Sequence, residues 1–269
     1  MNEGPHPQGE ICESTSYVPD HLELLTPKRL GPVSAGMRLS NFLLAGIAAE
    51  GMSLLEGDVV VVAQKVVSKA EGRTVALRSV TPSAQAQEIA QVVGKDARLI
   101  EVILRESTRV VRQVPGVLIV EHRLGFVMAN AGVDQSNSSS GTVILLPADP
   151  DRSAAELAAD IHAITGHKVA VIVIDSIGRA WRNGTVGQAI GVSGLLPILD
   201  LRGRKDLFGR TLQSTQVAIA DEIAAAASLL MGQASEGRPI VIVRGLKPAC
   251  IGTGSIKALL RNPAEDLFK

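Results

Sequence analysis

The chain has 269 residues, enough for one large domain or two modest ones, and its 27 Lys and Arg residues balance its 27 Asp and Glu residues. This neutral balance gives no overall attraction to nucleic acid or acidic lipid, and an aromatic content of 2% disfavours a stacking platform for single-stranded nucleic acid. The two cysteines, Cys12 and Cys250, have no metal-ligand spacing and fit a reducing compartment. We find no signal-peptide pattern and no apolar run of the ~20 residues that a membrane span needs, so we expect a cytoplasmic protein without nucleic-acid or membrane partners.

The first half of the chain shows helices and strands behind a polar arm. Residues 1–20 are rich in Pro, Gly and Ser, which predicts a flexible arm before a single domain over 21–269 with room for two lobes. Apolar patterning, turn residues and caps then predict a helix over 39–49, a buried strand over 59–63, a helix opened by Thr81-Pro82 and ended by Gly94, a helix from Asp96 to about Ser107, and a hairpin of strands 117–121 and 126–129.

The second half begins with a polar loop over 130–141 and a short strand over 143–146. Ser153 to Glu156 has the spacing of a capping box, and Gly166 ends the helix that follows it. Further patterns predict a strand over 169–174, a glycine-rich tract to Gly194, a charged turn over 202–210, a strand over 213–219, a helix over 221–231 and a strand over 239–243. Alternation without a clean repeat favours a mixed β-sheet covered by helices over a regular doubly wound fold.

The segment from Lys168 to Arg182 organises the rest of the prediction. Residues 169–174 are apolar and mostly β-branched, which predicts a strand buried on both faces. The apolar run stops at Asp175-Ser176, so a carboxylate and a hydroxyl are expected where open α/β sheets place ligands. An Asp or Ser after a strand is also a common helix N-cap, and the pattern alone leaves both interpretations open.

A second carboxylate, Asp134, lies in the loop Asn130-Ala-Gly-Val-Asp-Gln-Ser-Asn137. Asp, Asn and Gly are ordinary turn residues, so a plain turn is one interpretation. The other is metal binding, since two carboxylates from separate strand ends plus a hydroxyl suit Mg²⁺ or Mn²⁺, which take oxygen ligands and often bind substrate phosphates.

Basic residues recur at turns and strand ends, often beside glycines whose N–H groups could approach an anion: Lys65, Lys69, Arg73, Arg179, Arg182, Arg204, Lys205, Arg210 and Arg244. Solvated surface is the usual alternative. Phosphate-loop, dinucleotide-binding and nucleophile-elbow motifs are absent, and the five histidines show no zinc spacing. The residues alone therefore indicate metal-dependent handling of a phosphorylated small molecule.

Five strings closely resemble the coenzyme F-420:L-glutamate ligases, in the same order over about residues 57–246: 67–73, 130–137, 145–151, 178–184 and 220–232. This resemblance implies an α+β ligase fold, an intertwined homodimer, and an enzyme that uses GTP and two divalent ions, Mg²⁺ or Mn²⁺, with K⁺ as a further candidate ion. The implied substrates are the coenzyme F-420 precursor, L-glutamate and GTP.

The same resemblance implies roles for individual residues. The first metal would be held by Asp134 and Asp175, and the second by Ser176 and Gln233. The implied nucleotide contacts are Leu30, Gly31, Pro32, Val33, Gln64, Lys65, Lys69, Asn137, Met231, Gly232, Gln233, Ala234, Ser235, Glu236, Gly237 and Arg238.

The chain departs from that family at three of these places. Arg29-Leu30-Gly31-Pro32-Val33 stands where Gly-Leu-Pro is usual, Gln64 where Ser or Thr is common, and Gln233 where some members carry a carboxylate. A neutral amide adds no charge to a metal site. The first two departures bear on guanine specificity and nucleotide affinity, and the third on the second metal.

The implied reaction begins when a carboxylate on the coenzyme tail attacks the γ-phosphate of GTP, giving an acyl phosphate that the glutamate amine then opens. In phosphoryl transfer the protein mainly positions groups and offsets charge, so Asp134 and Asp175 are expected to be ligands rather than bases. Two alternatives stay open: a metal-dependent phosphohydrolase or nucleotidyltransferase, and a non-catalytic nucleotide-binding regulator.

Overall fold

The computed structural model describes residues 17–28, 30–136 and 140–266, so residues 1–16 of the predicted arm lie outside the described part. The strands are β1 (Glu23–Leu25), β2 (Val59–Ala63), β3 (Thr74–Ala76), β4 (Ser107–Val114), β5 (Val117–His122), β6 (Val127–Ala129), β7 (Thr142–Ile144), β8 (Ala170–Arg179), β9 (Arg182–Ser193), β10 (Leu199–Asp200), β11 (Gln216–Val217) and β12 (Ile240–Arg244). The helices are α1 (Leu39–Ala49), α2 (Gln64–Ala70), α3 (Ala84–Val93), α4 (Ala97–Arg105), α5 (Pro150–Thr165) and α6 (Ile219–Met231).

A five-stranded sheet in the order β1-β12-β2-β8-β9 forms the centre of the fold. Only β2 and β8 run parallel within it, and the other neighbours are antiparallel. Val59 to Val62 are fully buried, as expected for a strand covered on both faces. The sequence prediction of an α+β fold with mixed sheets is therefore confirmed.

Two glycines of β9 let helices approach the sheet closely. A side chain at Gly191 would lie 2.4 Å from the backbone of Pro150, at the start of α5, and one at Gly187 would lie 2.5 Å from the carbonyl oxygen of Ala224 in α6. Their partners on β8 are Val173 and Ser176, which alternate to opposite faces. Hence α5 covers one face of the sheet and α6 the other.

A second apolar core lies between α3, α4, the sheet β4-β5-β6 and the pair β3-β7. Glu106, which follows α4, joins this part to the chain after α2. Its Oε2 accepts from Nη2 of Arg73 at 2.8 Å and from Nε of Arg123 at 3.0 Å, and Nε2 of the fully buried His122 lies 3.6 Å away. Burial raises the pKa of Glu106, but His122, Arg73 and Arg123 together outweigh it and lower this pKa to about 2.

The elements at 39–49, 59–63 and 96–105 and the hairpin of β5 and β6 agree with the predictions, while two helix starts were wrong. Ser83 caps α3, so Thr81-Pro82 precedes the helix. Asp149 caps α5 through the N–H of Arg152, because Pro150 can occupy the first helical turn at no cost. Ser153 is therefore inside α5, where its hydroxyl donates to Glu71 and to the carbonyl of Asp149.

Several strands also differ from the prediction. Strand β8 continues through Asp175 and Ser176 to Arg179, and the glycine-rich tract after it is its antiparallel partner β9. Strand β4 was not predicted, since exposed and charged residues interrupt its apolar pattern. Only Gln216–Val217 is strand within 213–219. Among the described residues, no helix combines the length and apolarity needed to cross a membrane.

Candidate active site

Four segments meet at one edge of the central sheet. Because β2 and β8 are parallel, with Ala63 paired to Ile174, their carboxyl ends lie side by side. The chain entering β12 reaches the same edge, where the N–H of Ala63 donates to the carbonyl of Pro239 at 2.9 Å. The chain leaving β1 joins it as the N–H of Leu30 donates to the carbonyl of Gly237 at 2.9 Å.

Helix α2 follows β2 directly and supplies two ammonium groups. Lys65 and Lys69 are four residues apart and so share one face of the helix. Burial lowers the pKa of Lys69, and the nearby charge of Lys65 lowers it further. Two neighbouring lysines that repel each other at a sheet edge favour the approach of an anion.

Asp134 is half-buried and bound by Lys65. Nζ of Lys65 lies 2.6 Å from Oδ2 of Asp134, and it also donates to Oγ of Ser136 at 2.6 Å. The N–H of Ser136 donates to Oδ1 of Asp134 at 2.6 Å. Burial raises the pKa of Asp134, but Lys65 and Ser136 outweigh burial, and the net shift is downward. Ser136 was not predicted here, although Asp followed two residues later by Ser is the spacing of an Asx-turn.

Asp175 lies within β8, at the first position beyond the last pair that β8 makes with β2. On its other side it is paired with Gln188 of β9. Burial raises the pKa of Asp175 to about 6. The charge of Asp134 raises this pKa as well, whereas the hydrogen bond from the Ser176 N–H and the charge of Lys65 lower it. The charges of Lys65 and Asp134 thus both act on Asp175, as expected if the three residues belong to one site.

Ser176 and Gln233 form a separate pair. Oγ of Ser176 donates to Oε1 of Gln233 at 2.6 Å. Gln233 follows Gly232, which ends α6 with a φ of +72° and leaves no room for a side chain beside Glu236. Successive residues of a strand point to opposite faces, so Ser176 faces α6 while Asp175 faces α2. The four predicted metal ligands therefore form two pairs, and their ligand roles stay predictions.

The other predicted nucleotide contacts divide by exposure. Exposed residues at this edge are Gly31, Pro32, Ala234, Ser235, Glu236, Gly237 and Arg238. By contrast, Gln64, Val33 and Met231 are buried, with exposed fractions of 1%, 8% and 7%. Asn137 lies outside the described residues. A loop follows α6, and within it the N–H of Ala234 donates to Glu236 at 2.8 Å.

The predicted basic constellation does not form one cluster. Lys65 and Lys69 lie at this edge, whereas Arg73 pairs with Glu106. Arg244 lies at the other end of β12 and binds the buried Asp58 through two hydrogen bonds of 2.8 and 2.9 Å. Lys65 thus contacts a carboxylate of the site and Lys69 shares its helix, whereas Arg244 binds Asp58 at the opposite end of β12.

The carboxylate oxygens at this edge suit a hard divalent cation that takes its remaining ligands from water and a bound substrate. Within 17–28, 30–136 and 140–266, no group of three or more His, Cys, Asp or Glu side chains is placed to hold a metal. Two carboxylates provide charge and oxygen ligands, and Mg²⁺ or Mn²⁺ completes such a shell with waters and substrate phosphates. These residues therefore fit a metal shared with a phosphorylated substrate.

A cavity of about 470 Å³ lies elsewhere, and Arg78, Arg98, Gln135 and Thr142 are among its lining residues. None of Lys65, Asp134 and Asp175 lines it. The candidate active site is assigned by its carboxylates and lysines, which an open sheet edge can hold without a deep cavity.

Comparisons with known proteins identify the family of the chain. A sequence model of the family described as F420-0:Gamma-glutamyl ligase matches residues 28–245. The chain is 45% identical to the coenzyme F420:L-glutamate ligase of Methanothermobacter thermautotrophicus over 238 residues, which cover 88% of this chain and 94% of the relative. It is 49% identical to the protein of the same name from Methanopyrus kandleri over 229 residues, 84% of this chain and 91% of the relative. For that of Archaeoglobus fulgidus the identity is 45% over 226 residues, 84% and 90% of the two chains. The chain belongs to the F420-0:gamma-glutamyl ligase family.

Proposed function

We propose that this protein is a GTP- and divalent-metal-dependent ligase that adds L-glutamate, through a γ-linkage, to the coenzyme F-420 precursor. One observation carries the proposal beyond family membership: Lys65 contacts Asp134, and both of their charges act on Asp175 at the edge where the two exposed loops meet. We further propose that it works as a homodimer, which light scattering of the purified protein tests.

The lysines of α2 suit the nucleotide phosphates. Lys69 is partly desolvated and repelled by Lys65, so a phosphate that approaches both relieves that repulsion. Gly31 and residues 235–238 are exposed on the same edge and can offer backbone N–H groups to the rest of the nucleotide, whereas Pro32 has no N–H. Lysine acts here as a point charge, without the fixed geometry of arginine.

Asp134 and Asp175 suit the ions. When bound, two divalent cations would neutralise part of the negative charge where the triphosphate meets the substrate carboxylate. Asp134 and Asp175 would hold the first ion, while Ser176 and Gln233 would supply neutral oxygens to the second. K⁺ is a further candidate ion for which the described side chains give no separate site.

The chemistry needs positioning rather than a covalent enzyme intermediate. A carboxylate oxygen of the precursor attacks the γ-phosphorus of GTP, the bond to the β-phosphate oxygen breaks, and GDP leaves. The glutamate amine then attacks the acyl carbon, phosphate departs, and the amine loses a proton. Lys65 and Lys69 would hold the phosphates, and Asp134 and Asp175 would hold the cation whose charge would offset the repulsion between the reacting carboxylate and the triphosphate.

Mass spectrometry of the coenzyme after incubation with GTP, Mn²⁺ and glutamate tests the proposal. We expect a mass increase of one or more glutamyl residues, with one GDP and one phosphate released for each. The matched control is Lys168→Ala, an exposed lysine at the opposite end of β8, which should behave like the parent. Phosphate release without a glutamylated product would instead indicate a phosphohydrolase, and GTP binding without turnover a regulator.

A further inference from the structure

Gln64 is a buried amide inside the candidate active site. Its side chain is 1% exposed, and Ser68, one turn later in α2, is fully buried. Oγ of Ser68 donates to Oε1 of Gln64 at 2.9 Å. Since the hydroxyl holds the oxygen, the amide nitrogen is directed away from Ser68. Nε2 has no hydrogen-bond partner within the described residues. A buried donor without a partner is unfavourable, and such groups are often retained for a functional reason.

Asp175 is the acceptor next to this donor. Ala63 and Ile174 are paired across β2 and β8, so Gln64 and Asp175 are the residues that follow that pair on neighbouring strands. Gln64 is enclosed, whereas the loops at 31–32 and 234–238 are exposed to solvent.

We propose that Gln64 is a positioning residue whose Nε2–H donates to the carboxylate of Asp175 and fixes its orientation towards Asp134, rather than a contact to the nucleotide. The inference rests on the proposed function, in which Asp175 holds a metal ion. A neutral donor suits this place because it orients a carboxylate without adding a positive charge that would repel the ion. Ser68 has the supporting role of fixing which end of the amide faces Asp175.

Manganese binding to the nucleotide-free protein, followed by electron paramagnetic resonance, gives a readout other than turnover. In Gln64→Met the shape is kept and the donor is removed, so the Mn²⁺ Kd should rise by about ten- to a hundredfold, as for other groups that orient metal ligands. Ser68→Ala should raise the Mn²⁺ Kd less, because the Gln64 amide is kept and loses only the hydrogen bond from the Ser68 hydroxyl. Gln87→Met, on the exposed face of α3, is the matched control and should leave it unchanged.

Crystal structures of the parent and Gln64→Met give a second readout that needs no metal. We expect Nε2 of Gln64 within about 3 Å of an Asp175 oxygen in the parent, and a different Asp175 rotamer in the variant. A water bridging the two groups, or an Nε2 bound to a nucleotide phosphate, would overturn the inference. So would an unchanged Mn²⁺ Kd in Gln64→Met together with a raised KM for GTP. If the parent protein makes no glutamylated product, the proposed function is wrong. The distance between Nε2 of Gln64 and the Asp175 oxygens in the crystal structure still tests the role of Gln64.

Discussion

Nζ of Lys65 lies 2.6 Å from Oδ2 of Asp134, and the same ammonium group lowers the pKa of Asp175. One lysine therefore supplies positive charge to two carboxylates that would otherwise repel each other. A divalent cation that binds both aspartates would replace this charge, which would release Lys65 towards the phosphates that arrive with the metal. The ion pair thus provides a charge-balanced resting state for the site.

Asp175→Asn should abolish ligase turnover and stabilise the metal-free protein. Burial raises the pKa of Asp175 to about 6, so the ionised carboxylate costs folding free energy above that pH. The amide avoids this cost, and the free energy of unfolding at pH 8 should rise by about 1–3 kcal/mol. Urea denaturation and the ligase assay together check this.

The stability difference between Asp175→Asn and the parent should depend on pH. The folded protein takes up the Asp175 proton more readily than the unfolded chain, so this group adds stability as pH falls from about 6 towards 3.8 and removes it as pH rises. The difference between Asp175→Asn and parent should shrink over the same interval. Equal stability of the two proteins at pH 8 would contradict the burial of a charged Asp175.

Lys69→Ala should raise the KM for GTP tenfold or more. A charge-assisted hydrogen bond to phosphate contributes on the order of 1.5–3 kcal/mol, and Lys69 is already partly desolvated, which strengthens such a contact. Steady-state kinetics at fixed Mn²⁺ measures the change, with Lys168→Ala as the control. A KM for GTP equal to that of the parent would show that Lys69 does not contact the nucleotide.

Gln233 should set the affinity of the second ion. Its Oε1 accepts from Oγ of Ser176, which identifies the oxygen end of the amide and places it at the site edge. Gln233→Glu adds a charge and should lower the Mn²⁺ concentration for half-maximal activity, whereas Gln233→Ala should raise it. Gln213→Glu, in an exposed loop, serves as the control. Three overlapping titration curves would remove Gln233 from the metal site.

Glu106→Gln should destabilise the protein at neutral pH and not below about pH 2. The pKa of Glu106 is lowered to about 2 despite its burial, so its contribution is present above about 4.5 and is lost as pH falls towards 2. At pH 7 we expect a loss of about 2–3 kcal/mol, since Arg73 and Arg123 lose a charged partner. Chemical denaturation of both proteins between pH 2 and 7 measures it, and a constant difference across that range would refute it.

Sequence patterns were sufficient where a buried strand or a strong cap decides the structure. The apolar run 59–63 and the helix ends at Gly94 and Gly166 are where the patterns place them. At Asp175 the pattern failed because a strand need not end when its residues become polar. Strand β8 continues as one arm of a hairpin, held by β9 after β2 has ended. The loss of a neighbouring strand is a tertiary fact that the local sequence does not contain.

The sequence predicts which residues form the candidate site better than it predicts how they are arranged. Lys65, Asp134 and Asp175 come from three distant segments, and the patterns gave reasons to single out each of them. The proximity of Lys65 and Asp175 depends on the register of β2 with β8, which only the folded sheet fixes. The burial of Gln64 and the diversion of Arg73 to Glu106 also depend on neighbours that are remote in the chain.

The parallel pairing of β2 with β8 has a consequence for synthesis of the protein. All residues of the second apolar core lie between these two strands in the chain. The ribosome therefore synthesises every residue of that core before β8 emerges. Until then Val59 to Val62 lack the parallel partner that encloses them, and long-range parallel pairing is slow to form. An exposed apolar strand in a nascent chain is prone to aggregation, which makes β2 a segment for chaperones to protect during translation.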